Sequence, residues 1–268
     1  MFCIYANPAG AEFDAVVASF ESGLPSLLNH FFPLAGRVKS NPLSGLPEVH
    51  CNNQGAEPGA RPSFHEAGAV SAYLWKALAR SFAAHARCRM GWVVDGRRRL
   101  TAPKLHAYVG NACTLVVREA GVEEVLNMPL RDVAAMAREA VAAPAYDEHF
   151  QELVDGVEEH KAAGRYAETA SQGVGCPALS VTALTGFEID TDFGFGRAAM
   201  AMPKTDAKIS SGFLRIVPKP GDDGSWIVGA FVWPRLAAVL QSDEPCVFKP
   251  LTAESLGLVA PKAHQSRL

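Results

Sequence analysis

SGFLRIVPKP (residues 211–220), GDDG (221–224) and SWIVGAFV (225–232) form the stretch that decides the architecture. Two runs rich in Phe, Ile, Val and Trp flank a turn made only of Gly and Asp, and this pattern predicts a β-hairpin. Upstream, LSVTALTGFEI (179–189) reads as another strand. Downstream, a helix is expected to start near Pro234, with Leu236, Val239 and Leu240 on its apolar side. Further out, Val70, Tyr73, Leu74, Ala77, Leu78 and Phe82 recur on one face of a long amphipathic helix over about residues 66–87, ending near Cys88. MGWVVDGRRRL (90–100) reads as a strand running into a turn at Asp95-Gly96. A helix after Pro129 carries Leu130, Val133, Ala134, Met136 and Ala137. A second, over about residues 146–163, has a narrow apolar stripe (Phe150, Leu153, Val157) and an acidic opposite face. Nearer the N-terminus, Phe13, Val16, Val17, Phe20, Leu24, Leu27 and Leu28 keep helical spacing, interrupted at Gly23-Leu24-Pro25, so two short helices or one broken helix are expected. Pro33–Val38 turns into a strand, residues 40–47 form a loop and Glu48–Asn52 a short strand. NQGAEPGARPS (53–63) is a seam of chain breakers without periodicity. Helices and strands with a late hairpin specify an α/β chain of the mixed α+β kind, not an orderly βαβ succession.

The composition bounds what such a chain can do. With 268 residues, 49% of them apolar and 20% charged, it can bury a sizeable core, which excludes disorder as the main state. Lys plus Arg is 25 against 28 for Asp plus Glu, a net charge of −3 that attracts neither nucleic acid nor an anionic membrane. No apolar run approaches the roughly 18 residues of a membrane span. MFCIYANPAG has no basic segment ahead of its short apolar start, so no secretory signal is expected. The six cysteines (Cys3, Cys51, Cys88, Cys113, Cys176, Cys246) are scattered, with no C-x-x-C pair and no zinc spacing. No N-x-S/T site is present. Free thiols in a reducing compartment, a cytoplasmic location and no bound metal are the expectation.

Several motifs have the form of chemistry without its context. Asp192-Phe193-Gly194 is the metal-binding triplet of kinases, but no glycine-rich loop, strand lysine or H-R-D segment accompanies it. Gly194 to Ala199 fits G-x-G-x-x-A, yet Pro203 forbids a long helix there, and the dinucleotide reading needs one. G-x-S-x-G, G-x-x-x-x-G-K-[ST] and H-E-x-x-H are absent. Glu158-Glu159 and Asp222-Asp223 read as solvated charge on a helix face and in a turn. None of the eight histidines is forced into a catalytic role by its neighbours.

Four stretches occur in order: LNHFFPLAGRV (28–38), VHCNNQG (49–55), Arg97-Arg98-Arg99-Leu100 followed by Tyr108-Val109-Gly110-Asn111, and Asp192-Phe193-Gly194-Phe195-Gly196. Together they resemble the L-x-x-F-Y-P-L-A-G-R, C-N-x-x-G, R-x-R-L/Y-x-G-N and D-F-G-W-G motifs of the plant BAHD acyltransferases, which move an acyl group from coenzyme A to an alcohol or amine. The resemblance covers about residues 5–258. It implies a two-domain, chloramphenicol-acetyltransferase-like fold with a channel between the domains, acyl-CoA as co-substrate rather than bound cofactor, a small alcohol or amine acceptor and a monomer. It implies structural roles for Asp192, Phe193, Gly194, Phe195 and Gly196, with Asp192 pairing with Arg97. Tyr108, Gly110 and Asn111 would lie near the channel and coenzyme A. Phe195 stands where the family has Trp, which keeps the aromatic bulk and loses an indole N–H.

The chain departs from the family at its base, the histidine of H-x-x-x-D. The residues four places after the eight histidines are Leu34, Gln54, Ala69, Arg89, Gly110, Leu153, Gly164 and Leu268, none of them Asp. In the family that motif falls between C-N-x-x-G and the helix that here reads VSAYLWKALAR; here only the seam lies between. Loss of an internal segment is the simplest reading. It divides the chain into residues 1–57, a remnant of the first domain, residues 58–63, the seam, and residues 64–268, the second domain, which is expected to pack well. The first domain is incomplete, leaving unpaired strand edges as a route to association or aggregation. His65, closest to the seam, is the one weak candidate for a substitute base. Two readings stay open: an acyl-CoA-dependent transferase active through another arrangement, and a non-catalytic fragment or isoform that binds coenzyme A weakly or pairs with an intact relative.

Overall fold

A helix with apolar residues on one stripe must bury that stripe, and a strand with period-two alternation offers a flat face to receive it. The computed structural model of the chain shows this pairing at its centre. It describes residues 2–5, 13–30, 37–40, 42, 47–50, 64–101, 108, 110–160, 175–185, 192, 196–203, 211–221, 224–243 and 247–259. The elements in chain order are β1 (Phe2–Tyr5), α1 (Phe13–His30), β2 (Arg37–Ser40), β3 (Pro47–His50), α2 (Phe64–Ser81), β4 (Arg87–Asp95), β5 (Cys113–Gly121), α3 (Val122–Asn127), α4 (Leu130–Ala142), α5 (Tyr146–His160), β6 (Ala178–Ala183), β7 (Ala198–Met202), β8 (Gly212–Pro218), β9 (Trp226–Phe231) and α6 (Pro234–Ser242).

Five strands form one mixed sheet in the order β5-β4-β6-β8-β9. β4 runs antiparallel to β5 and parallel to β6, β6 runs parallel to β8, and β8–β9 is the antiparallel hairpin expected from residues 211–232. One face carries Met90, Trp92, Leu179, Val181, Leu214 and Ile216 into a core completed by α2, α4 and α6. Leu74, Trp75 and Leu78 of α2 are fully buried there. The Trp75 and Trp92 rings meet edge to face at 5.8 Å, and Trp92 Nε1 donates to Ser71 Oγ at 3.0 Å. This geometry gives an aromatic pair more than its area alone.

Polar residues on the same helix fix its neighbours. Lys76 Nζ donates to the carbonyls of Val125 (3.0 Å), Leu126 (2.8 Å) and Met128 (2.6 Å), capping the C-terminal end of α3, and burial lowers the lysine's pKa. Arg80 forms a two-pronged pair with Asp243 just past α6, with Nη1–Oδ1 2.9 Å and Nη2–Oδ2 2.6 Å. The Tyr73 hydroxyl first, and then Arg80, hold the Asp243 carboxyl below its ordinary value.

Among the described residues the second face of the sheet is covered only in part. β1 and β7 form a two-stranded antiparallel ribbon, Phe2 opposite Met202. Ala201 and Met202 pack there against Val217 and Ile227. β2 and β3 pair as a separate hairpin.

Among the described residues the larger core cluster lies within residues 70–248. The expected boundary is nevertheless bridged, because β1 near the N-terminus pairs with β7. Residues 58–63, the seam, lie outside the described residues. Three expectations are corrected. First, α1 runs unbroken through Pro25. Proline there removes one hydrogen bond to the carbonyl of Glu21, and the exposed surroundings leave that carbonyl open to hydration. Second, α2 ends at Ser81, because residues 87–95 alternate: Cys88, Met90, Trp92 and Val94 enter the core from β4. Third, β1, β5, α3 and β7 were not foreseen. The last two residues of the G-x-G-x-x-A stretch, Ala198 and Ala199, begin β7, where a dinucleotide site needs a helix, and this removes that reading. Cys3, Cys88, Cys113 and Cys176 are free thiols, as expected, and burial pushes the Cys88 thiol up to about 11.

Two outcomes test this packing. Ser71→Ala strands the buried Trp92 indole N–H and is expected to cost about 1–3 kcal/mol in urea unfolding. The depressed Asp243 pKa means that the Arg80–Asp243 tie contributes fully above the ordinary Asp value and is lost as pH falls through the lower folded value. Melting curves between pH 5 and 2 should therefore converge for wild type and Asp243→Asn.

Candidate functional site

The expected site residues Arg97, Tyr108, Gly110 and Asn111 all fall in the connection between β4 and β5. Asp95 ends β4 and caps the short 3-10 turn Gly96–Arg98, its Oδ1 accepting from the Arg97 backbone N–H at 3.1 Å. The same oxygen accepts from Arg97 Nη1 at 2.9 Å. Arg97 Nε donates to the Tyr108 carbonyl at 3.0 Å and Nη2 to the Gly110 carbonyl. One guanidinium therefore holds both ends of the loop. Asn111 Oδ1 accepts from Cys113 N at 3.2 Å, an Asx turn that leads the chain into β5. The expected partner of Arg97, Asp192, is not among these contacts. Asp95, two residues away, occupies the arginine because the 3-10 turn brings it there first. Asp192 Oδ1 accepts from Gly196 N at 3.0 Å, and Gly196 sits at φ +109°, a conformation open to glycine. Phe193, Gly194 and Phe195 lie outside the described residues. His65 occupies the first turn of α2, and its side chain lies outside the described residues as well.

The N-terminal part of α5 clamps this loop, which the sequence did not indicate. Asp147 Oδ1 accepts from Thr101 N at 3.0 Å. The Arg99 guanidinium lies 5.4 Å from the centre of the Tyr146 ring. His149 Nε2 and Thr114 Oγ1 of β5 share a hydrogen bond of 2.7 Å. The Phe150 ring presses on Gly96 so closely that a Cβ there would lie 2.4 Å from it. His149 was one of eight histidines without a distinguishing neighbour. Its partner lies 35 positions away, on a strand the pattern did not disclose.

Chemically, the arrangement ties together the described parts of the β4–β5 connection. Its ion pair is partly exposed, Arg97 at 25% and Asp95 at 37%, so its energetic weight is modest and its role is geometric. The Thr114–His149 contact joins a hydroxyl to an imidazole across two elements. Among the described residues no three of His, Cys, Asp and Glu gather to hold a metal, and no helix is long and apolar enough to cross a membrane.

Comparison with known proteins supplies the remaining findings. Residues 1–58 and 59–241 match the family described as Transferase. The two segments abut within the Pro/Gly-rich stretch. The chain is 31% identical over 183 residues to the putrescine hydroxycinnamoyltransferase of Oryza sativa subsp. japonica, covering 66% of this chain and 39% of that protein. It is 28% identical over 182 residues to agmatine hydroxycinnamoyltransferase 1 of the same plant, covering 65% and 39%. The chain thus spans about two fifths of the length of the curated relatives it matches. Among solved structures it is similar to vinorine synthase, with TM-score 0.46 and 22% identity over 74% of this chain and 42% of that one. It is also similar to F. sporotrichioides TRI101 complexed with coenzyme A and T-2, with TM-score 0.45 and 15% identity over 67% and 42%.

Gly96 gives the sharpest test of the clamp. Gly96→Ala forces Phe150 and the Ala112 carbonyl aside and is expected to destabilise by about 1–3 kcal/mol. Hydrogen exchange should show the amides of Gly96 and Cys113 losing protection ahead of those in α2.

Proposed function

The chain belongs to the Transferase family, that of the BAHD acyl-CoA-dependent acyltransferases, and from this premise we propose that it is an acyl-CoA-binding member of plant secondary metabolism whose own turnover is impaired. The transfer replaces the thioester C–S bond with a bond to the acceptor oxygen or nitrogen, and the acceptor's proton ends on the departing thiol. A positioned base assists this step by about 10²–10⁴-fold. One observation carries the reading: no histidine in the chain is followed four residues later by aspartate. The two matched segments, 1–58 and 59–241, meet in the stretch where the resemblance leads us to expect that motif.

In this reading residues 64–268 act as the second-domain scaffold, and residues 1–57 are what remains of the first. Arg97, Tyr108, Gly110 and Asn111 form the ordered edge that coenzyme A or the acceptor meets. Asp192 and Gly196, joined by one hydrogen bond, bracket in sequence the structural motif that includes Phe193, Gly194 and Phe195. Acyl-CoA is a co-substrate, and the acceptor is a small alcohol or amine. The protein is cytoplasmic and takes no nucleic acid, membrane or metal. It is a monomer whose exposed strand edges admit an intact relative. The relatives' names put hydroxycinnamoyl donors and the amines putrescine and agmatine first in any panel.

Purified chain is incubated with acetyl-, malonyl- and hydroxycinnamoyl-CoA and a panel of alcohols and amines, and free thiol is followed. The expected result is thiol release indistinguishable from the uncatalysed rate, with coenzyme A bound weakly in equilibrium dialysis. Acceptor-dependent release with many turnovers per chain would overturn the reading. If that release vanished in His65→Ala, His65 would be the substitute base.

A further inference from the structure

Arg215 stands near the middle of the sheet face that the core helices leave uncovered. In register it lies beside Thr182 of β6 and Gly229 of β9. The row on one side of it, Val217 and Ile227, is closed by Ala201 and Met202 of β7. The row on the other side pairs Phe213 with Phe231, and Phe231 is 54% exposed. Toward β4 and β5 the same face continues as Val93 and Val117, both exposed. Among the described residues the surface around Arg215 is thus apolar and aromatic, and the further cations on this face, Arg87 and Arg89 at the far end of β4, are paired with Glu119.

That cation is poorly satisfied. A guanidinium carries five N–H donors and no acceptor. Arg215 Nη1 donates to the Pro203 carbonyl, and the guanidinium carbon lies 5.3 Å from the centre of the Phe213 ring. Nε is buried without an acceptor, and among the described residues Arg215 joins no ion pair. Burial alone lowers its pKa. A half-buried charge without a counter-charge is costly, and an external anion removes that cost.

We propose that Arg215 anchors a binding site for a small aromatic carboxylate, whose ring lies on the Phe213–Phe231 pair and whose carboxylate meets the guanidinium. A carboxylate fits one guanidinium in charge and in geometry. A phosphate dianion brings more charge and more oxygens than a single arginine on an apolar face can satisfy. A cationic ligand is repelled. The inference does not rest on acyl transfer, since it is read by equilibrium binding and not by thiol release.

Calorimetric titration of the full chain with 3-phenylpropionate, 3-phenylpropionamide and 3-phenylpropylamine tests it, because the three share a skeleton and differ in charge. Saturable binding of the acid is expected, with the amide and the amine weaker by about 10-fold or more. Arg215→Met should weaken the acid by about 10-fold or more and leave the amide unchanged, while Arg215→Lys retains part of the affinity. Inorganic phosphate should displace the acid poorly. Equal affinity for acid and amide, no saturable binding of the acid, unchanged binding in a folded Arg215→Met chain, or displacement by phosphate at lower concentration than the acid itself would each overturn the proposal. Should Arg215→Met fail to fold, the acid-to-amide ratio of the wild type and the Lys variant decide the question.

Discussion

Burial of the α2 stripe against β4 is the constraint from which the other arrangements follow. Leu74, Trp75 and Leu78 lose all contact with water, at about 1.5–3 kcal/mol for a fully buried Leu side chain. That gain requires Trp92 to enter the same core with its indole N–H satisfied, and Ser71 supplies the acceptor one turn before Trp75. Once α2 is seated, its remaining polar positions have fixed places. Lys76 reaches the free carbonyls of α3, and Arg80 reaches Asp243 beyond α6. One helix therefore positions the sheet, the helix after β5 and the last helix.

The two faces of the sheet have different fates. The helix side is closed by alternating apolar residues from every strand. The other side is closed at one end by the β1–β7 ribbon and bears Arg215 where that cover stops. The described parts of the β4–β5 connection lie at the end of β4 and are held by Arg97 and by α5. The chain presents both features, and no histidine in it is followed four residues later by aspartate.

Most of the helices and the hairpin were legible, because their signals are local. Val70 to Phe82 repeat at helical spacing over three turns, and 211–232 alternates around a Gly/Asp turn. Helix ends were less legible. α2 stops at Ser81 although its apolar pattern continues to Phe82, because the next apolar residues serve a strand. β5 was hidden because, as an edge strand, it mixes buried Val116 and Ala120 with exposed Val117 and Arg118. β1 and β7 were hidden because four or five residues carry too little pattern to stand out from a loop. At the site, Arg97, Gly110 and Asn111 were found by motif, while His149 was missed because nothing around it in sequence names Thr114.

Covalent order alone determined the family signatures, the lack of an H-x-x-x-D spacing, the amphipathic stripes and the turn chemistry. Each of these is a relation among residues close together in the chain, and it holds in any conformation. Only the tertiary structure decided that Arg97 closes on Asp95, that the first strand pairs with residues 198–202, that α5 clamps the β4–β5 loop and that Arg215 meets no carboxylate among the described residues. Those outcomes depend on strand register and on which surfaces meet, and through-space geometry of that kind is set by the packing of the whole core.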